Sequence, residues 1–404
     1  MTVTAGDQLS PMPTPHSRRT RRRGLRVLLV TIVLLVGPFL ALELFVRALI
    51  ATDRLPTAPS HSEQLDIGLI NVRDLEPQDV LLMGDSQIAT GVEPVVLREL
   101  LEGELGREVP VYNFGQPASS TYTNTLLLDL IAREGRMPKV VIIDISMSSL
   151  VPPQSRPGGG GGGAGVVNDA EGRPTLLSSA LGRELAGCGI ETEIVDRIDC
   201  ELAHVSAAWR WHGRPERVIR AAISGSQLGM KANRGRLRPD GFFARGPANQ
   251  GRLQQQIANR DYAQSRVTPG FNQPEADDFR AFAELVAANG GSVIFVQVPL
   301  TKPYTDELIA RNPDWEADRE TAAAELEAAI GQDIVFVESY GDWWNDRSAS
   351  DLNHLSAEAA KDFTRQLWDM PDFRAQVVAG LGGSHPVPSP SPAASVVPGP
   401  SPAA

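Results

Sequence analysis

Five short apolar runs restrict this chain more than any other feature: Val80–Met83, Val109–Tyr112, Val140–Ile145, Val293–Val298 and Ile334–Val337. They are rich in Val and Ile and nearly continuous in apolarity, the pattern of strands buried on both faces rather than on one. Helix-like segments lie between them. VVLRELLEGEL follows the first run, and TNTLLLDLIAREG follows the second. DDFRAFAELVAANGG precedes the fourth and sets Phe279, Phe282, Leu285 and Val286 on one face. WEADRETAAAELEAAIGQ precedes the fifth. Strand and helix alternating every ~30 residues make βαβ units, hence an α/β domain with a parallel sheet of about five strands. Working residues in such sheets collect at the carboxyl ends of the strands. That rule selects Gly84–Ser86, Asn113–Ser119, Ser146–Ser149, the chain from Pro299 and the chain from Glu338.

The α/β domain is expected over 78–375, interrupted by a mostly helical insertion at 150–277 where the strand series breaks. Within the insertion, AHVSAAWRWHGRPERVIRAAI and KANRGRLRPDGFFARG mix basic and aromatic residues. They read first as a helix packed by its tryptophans and a solvated basic loop, and second as a grip for a carbohydrate or an acidic polymer. SRPGGGGGGAG, 155–165, has the composition of a flexible loop. The end, 383–404, is Pro, Ser and Ala without apolar periodicity and reads as a disordered tail.

The N-terminus sets the address. Residues 1–26 hold six arginines against Asp7, a charge of +5, so the rest of a chain of net charge −11 carries −16. Sixteen residues without a charge follow, Val27–Leu42, and the apolar run extends to Ile50. That is long enough to cross a bilayer core of ~30 Å at ~1.5 Å per residue. The rival reading is a cleaved signal peptide, but its shorter apolar region and small-residue cleavage site are not evident. The favoured organisation is a basic cytoplasmic tail at 1–26, a transmembrane anchor at 27–50 and a stalk at 51–77. Arginines ahead of the span place the N-terminus inside and the domain outside the cytoplasmic membrane. An acidic domain and a topological explanation for the arginines leave no case for nucleic-acid binding. GGGGGG at 158–163 lacks a following Lys-Ser/Thr, so a nucleotide-binding loop is unsupported too. Cys188 and Cys200, twelve residues apart, form either a local disulfide in an oxidising compartment or two buried thiols. Their spacing matches no zinc site, and nothing in the sequence requires a cofactor.

LLMGDSQIAT, 81–90, carries the chemistry. An apolar strand stops at Gly84, and Asp85 and Ser86 open a helix, whose N-terminal N–H groups favour developing negative charge. A serine there is either a nucleophile or a helix cap, and a nucleophile needs a base with an orienting partner. Of six histidines only His354 follows a strand of the sheet, and Asp351 precedes it by three residues in SDLNHLS.

This combination resembles the SGNH, or GDSL-like, hydrolase superfamily, whose domain is a three-layer α/β/α sandwich. MGDSQ is similar to its first block, with Ser86 as nucleophile, and DLNH to its last, with Asp351 and His354 completing the triad. NFGQPASS looks like the second block, with Asn113 and Gly115 matched and Ala118 at the oxyanion glycine. The third block aligns with Ser146–Ser149, and Ser148 stands where the family has its oxyanion asparagine. The resemblance thus implies oxyanion donors from Ser86, Ala118 and Ser148, with Gly84 and Asp85 as support. One anchor ahead of an extracytoplasmic domain is similar to the alginate O-acetyltransferase-like branch and to membrane-anchored D-alanyl-transfer proteins. In those groups the resemblance implies a serine that passes an acyl group to a polysaccharide, in several systems supplied by a multi-span membrane acyltransferase. The competing expectation is a non-catalytic domain that binds glycan or assembles a membrane complex; Ser148 favours it and the complete triad opposes it.

Overall fold

A computed structural model describes residues 16–52, 54–56, 78–116, 119–146, 149–150, 194–224, 237–258, 269–337 and 344–382, with isolated positions at 65, 68, 167–168, 174–175 and 188. The expected glycine-rich loop at 155–165, most of the stalk and the 383–404 tail lie outside the described residues.

Five strands form one parallel sheet: β1 (Val80–Met83), β2 (Val111–Asn113), β3 (Val140–Asp144), β6 (Ser292–Gln297) and β7 (Ile334–Phe336), in the order β2-β1-β3-β6-β7. A two-residue antiparallel pair, β4 (Val167–Asn168) with β5 (Pro174–Thr175), stands apart from it. Register is regular, with Leu81 opposite Tyr112 on one side and Val141 on the other, and Phe295 opposite Ile334. Each strand is nearly all apolar because alternate residues serve two cores. Leu81, Met83, Val141, Ile143 and Phe295 enter one cluster, while Val80, Leu82, Ile142, Ile294 and Val296 enter the other.

Helices cover both faces of this sheet. α3 (Pro94–Leu105) joins β1 to β2, and α4 (Thr121–Arg133) joins β2 to β3. The chain moves outward from β1 to β2 and then back past β1 to β3, so the handedness of the crossovers puts these two helices on opposite faces. α9 (Gln273–Ala288) and α11 (Trp315–Ile330) lie with α4, and Phe279 meets Phe295 edge to face at 5.6 Å. α2 (Ser86–Gly91), α12 (Ala357–Asp369) and α13 (Pro371–Gly380) lie with α3. α10 (Lys302–Arg311) follows β6. Phe373, Val377 and Val378 of α13 are core residues, so the domain runs past the expected limit at 375 to about 382.

Besides the β4–β5 pair, the described part of the insertion holds four helices, α5 (Ile194–Val205), α6 (Ala207–Arg210), α7 (Pro215–Ser224) and α8 (Gln250–Ala258), and a non-helical stretch at 237–249. Trp211 is buried, as the tryptophan-packed helix requires, and Cys188 is bonded to Cys200. The expected solvated basic loop is corrected in its described part, 237–246, which belongs to a longer stretch, 237–249. Phe242 and Phe243 are buried there, and Arg238 pairs with the buried carboxylate of Glu93 at 3.0 Å. The aromatics carry the segment onto the sheet edge as a strap. α1 (His16–Ala51) covers the residues of the expected anchor, and its Arg26–Ala51 stretch is long and apolar enough to cross a membrane.

Candidate active site

β1 ends at Met83 and the chain turns at once into α2, with Ser86 its first residue. Gly84 makes the turn possible at φ +133°, where a Cβ would sit 1.5 Å from Oδ1 of Asp144. Asp85 caps the helix, its carboxylate accepting from the N–H of Gln87 at 2.6 Å. Its own N–H donates to Asp144 Oδ1 at 3.0 Å. Asp144 ends β3 and is buried. Burial first, and the neighbouring Asp85 carboxylate second, push its pKa well above the ordinary carboxylate value.

The second loop holds α2 in place. Asn113 donates to the carbonyls of Ile88 at 2.8 Å and Val92 at 3.1 Å, closing the carboxyl end of α2, and accepts from the N–H of Gly115 at 3.0 Å. A Cβ on Gly115 would meet the Ala89 nitrogen at 2.6 Å, so glycine is required by close packing on α2. Asn113 and Gly115 therefore hold α2 against the end of β2.

The base and its partner arrive on a tight turn between β7 and α12. Ala349 and Leu355 bridge, Ser350 N–H donates to the His354 carbonyl at 2.9 Å, and Leu352 and Leu355 are buried. Leu352 packs into one core and Leu355 into the other, which fixes the tip between them. Thr301, from the loop after β6, donates to the Leu352 carbonyl at 2.6 Å. The i, i+3 spacing then lets Asp351 Oδ1 accept from the N–H groups of Asn353 at 2.9 Å and His354 at 3.1 Å, and from His354 Nδ1 at 2.6 Å. His354 Nε2 lies 2.7 Å from Ser86 Oγ. The three residues singled out from sequence thus form one hydrogen-bonded chain.

Sequence reasoning missed a fourth group. Arg245, on the strap, donates from Nη1 to Asp351 Oδ2 at 2.5 Å and stacks over Phe243 at 5.4 Å. Backbone hydrogen bonds tie the strap down along its length. Asn113 N–H donates to the Asp240 carbonyl at 2.9 Å, Phe243 N–H to Ala89 at 2.9 Å, and Ala357 N–H to Arg245 at 2.8 Å. It therefore spans β2, α2 and the start of α12. Burial alone would raise the Asp351 pKa; the His354 hydrogen bond, the backbone N–H groups and the Arg245 charge outweigh it and hold the carboxyl below its ordinary value. Asp351 is thus an anion placed to orient the imidazole. Only the tertiary fold brings Arg245 here, because 106 residues separate it from Asp351 and its neighbours show no periodicity. Asp144 was visible as a carboxylate ending an apolar strand, a position that calls for a special partner.

The oxyanion positions Ala118 and Ser148 lie outside the described residues. Ser86 heads α2. Cys188, Cys200 and His204 come together, but the two sulfurs are bonded to each other and offer no thiolate to a metal. No family model matches the chain, and no curated protein matches it.

Proposed function

We propose that the chain is a membrane-anchored serine esterase or O-acyltransferase with a three-layer SGNH-like domain outside the cytoplasmic membrane, acting on cell-envelope or secreted polysaccharide. The single observation that carries this reading is the hydrogen-bonded chain Asp351–His354–Ser86, closed across 268 residues of sequence. Such a chain fixes the imidazole tautomer and aims Nε2 at the hydroxyl, which a helix cap alone does not need.

In this mechanism Ser86 Oγ attacks the acyl carbonyl of the donor as His354 takes its proton. The tetrahedral oxyanion collapses, the C–O bond of the donor breaks, and His354 returns the proton to the leaving alcohol. The acyl group is then held on Ser86. A polysaccharide hydroxyl or water, deprotonated by His354, attacks this ester and regenerates Ser86. Asp351 stabilises the imidazolium in both halves, and Arg245 holds Asp351. A multi-span membrane acyltransferase is the proposed acyl supplier where transfer is the outcome.

Fluorophosphonate labelling of the full chain in detergent tests the reading. The expected result is covalent labelling of the wild type and none of Ser86→Ala or His354→Ala. A folded wild type that resists the probe would point instead to glycan binding or complex assembly.

A further inference from the structure

α5 carries an exposed apolar stripe that no described residue buries. Ile194, Val195, Ile198, Leu202 and Val205 are each between 39% and 76% exposed, while Cys200, on the opposite side, is buried. At ~100° per residue these five positions fall within one ~100° arc, the width of an amphipathic face. α7 repeats the pattern. Val218 and Ala221 are buried, whereas Ile219 and Ile223, one turn apart, are 56% and 79% exposed. Patches of this kind on a soluble surface mark an interaction site.

The other side of this helical unit is seated on α1. Val46 and Leu49 of α1 pack with Ala207, Trp211, Val218 and Ala221. The carboxylate of Glu43 accepts from Ser206 Oγ at 2.8 Å, Ala207 N–H at 3.1 Å and Ala208 N–H at 2.8 Å, and Arg47 donates to the Val205 carbonyl at 3.2 Å. These contacts fix the depth. About 20 helical residues cross a hydrocarbon core of ~30 Å, so a core entered at Val27 is left near Val46. The insertion therefore joins α1 at the level where the span leaves hydrocarbon. A carboxylate at that level is costly unless satisfied, and the insertion supplies its hydrogen bonds. Between Ala207 and Ser224 the chain has four arginines against Glu216; Arg210, Arg214 and Arg220 are part-exposed, and Arg217 is buried. Basic and apolar groups together suit an anionic head-group layer.

We infer that α5 and α7 lie in the outer-leaflet interface of the bilayer, with the Ile194–Val205 stripe and Ile219/Ile223 among the upper acyl chains. The proposed occupant of the apolar face is phospholipid. The inference rests on α1 being a membrane span. It would hold the unit at α1 flat on the membrane rather than leave it free in the aqueous phase.

The test uses the full chain reconstituted into vesicles of phosphatidylethanolamine and phosphatidylglycerol. With Cys188 and Cys200 bonded to each other, a third cysteine at Leu34, Ile198, Ile223 or Glu325 can carry an environment-sensitive NBD label. A phospholipid with a nitroxide high on its acyl chain should quench the labels at Ile198 and Ile223 by roughly twofold or more, leaving Glu325 on α11 unaffected. Quenching at Leu34 with Ile198 and Ile223 behaving like Glu325 would keep the span and overturn the interfacial placement. Blue-shifted but unquenched labels at Ile198 and Ile223 would mean a protein covers the stripe, which also overturns it. Labels at Leu34, Ile198 and Ile223 that all stay as unquenched as Glu325 would remove the span and the inference together.

Discussion

Gly84 leaves the space in which two carboxyl groups meet, since any side chain there would collide with Asp144. Asp144 accepts from the Asp85 N–H beside Ser86, and its raised pKa has a thermodynamic signature. Its folded pKa lies above the unfolded value, so between those two pH values the folded chain holds a proton that the unfolded chain has lost. Stability from this group is complete below the ordinary carboxylate pKa and falls as pH rises through that window, at about 1.4 kcal/mol per pH unit. Asp144→Asn removes that slope. Denaturation at pH 5 and pH 7 should show the variant gaining on the wild type at the higher pH; equal differences at both pH values would mean that Asp144 is ionised. Arg245 works in the opposite direction. Arg245→Met keeps the stem over Phe243 and leaves Asp351 without its cation. The expected cost is about 1–2 kcal/mol of stability, and the acid-side loss of fluorophosphonate labelling should move to higher pH as Asp351 protonates more readily. A labelling profile that does not move would limit Arg245 to a structural role. Ser86, Asp351 and His354 were legible because each lies in a local signal: a strand end, a helix start, a three-residue spacing. Arg245 gave no such signal, since its partner is set by the path of a long insertion.

At the level of elements, the sheet was legible to within two residues at every strand boundary, because burial on both faces leaves continuous Val/Ile runs in the sequence. The order β2-β1-β3-β6-β7 could not be read, as strand adjacency depends on which helices fill which face. The strap was misread over 237–246 for a related reason. Its arginines suggested solvent, whereas buried phenylalanines and Glu93 hold it down. Gly241 is the point where it touches the sheet. Its φ is +81°, and a Cβ would lie 1.9 Å from the Asn113 carbonyl oxygen. Gly241→Ala should therefore lift the strap, at a cost of roughly 2–4 kcal/mol, and slow labelling of Ser86 through loss of Arg245. If thermal unfolding drops while the labelling rate holds, the strap stabilises the fold without organising the triad.

Across the whole molecule two packing units divide the labour. The α/β domain encloses the triad between its two cores, and neither core includes a residue of α5, α6 or α7. Those helices form a unit stapled by Cys188–Cys200, in which α6 and α7 pack on α1 and α5 meets it through the Arg47 donation to the Val205 carbonyl. Closing a loop of this length stabilises by about 3 kcal/mol in the chain-entropy account, and here the gain belongs to the helical unit. Reduction should consequently open one unit and spare the other. Hydrogen exchange of the full chain with and without reductant should show loss of protection over 194–224, with β1 and β3 unchanged and fluorophosphonate labelling of Ser86 at its original rate. A parallel fall in labelling would show that the unit seated on α1 supports the triad from a distance, and the separation of anchoring from chemistry would then fail.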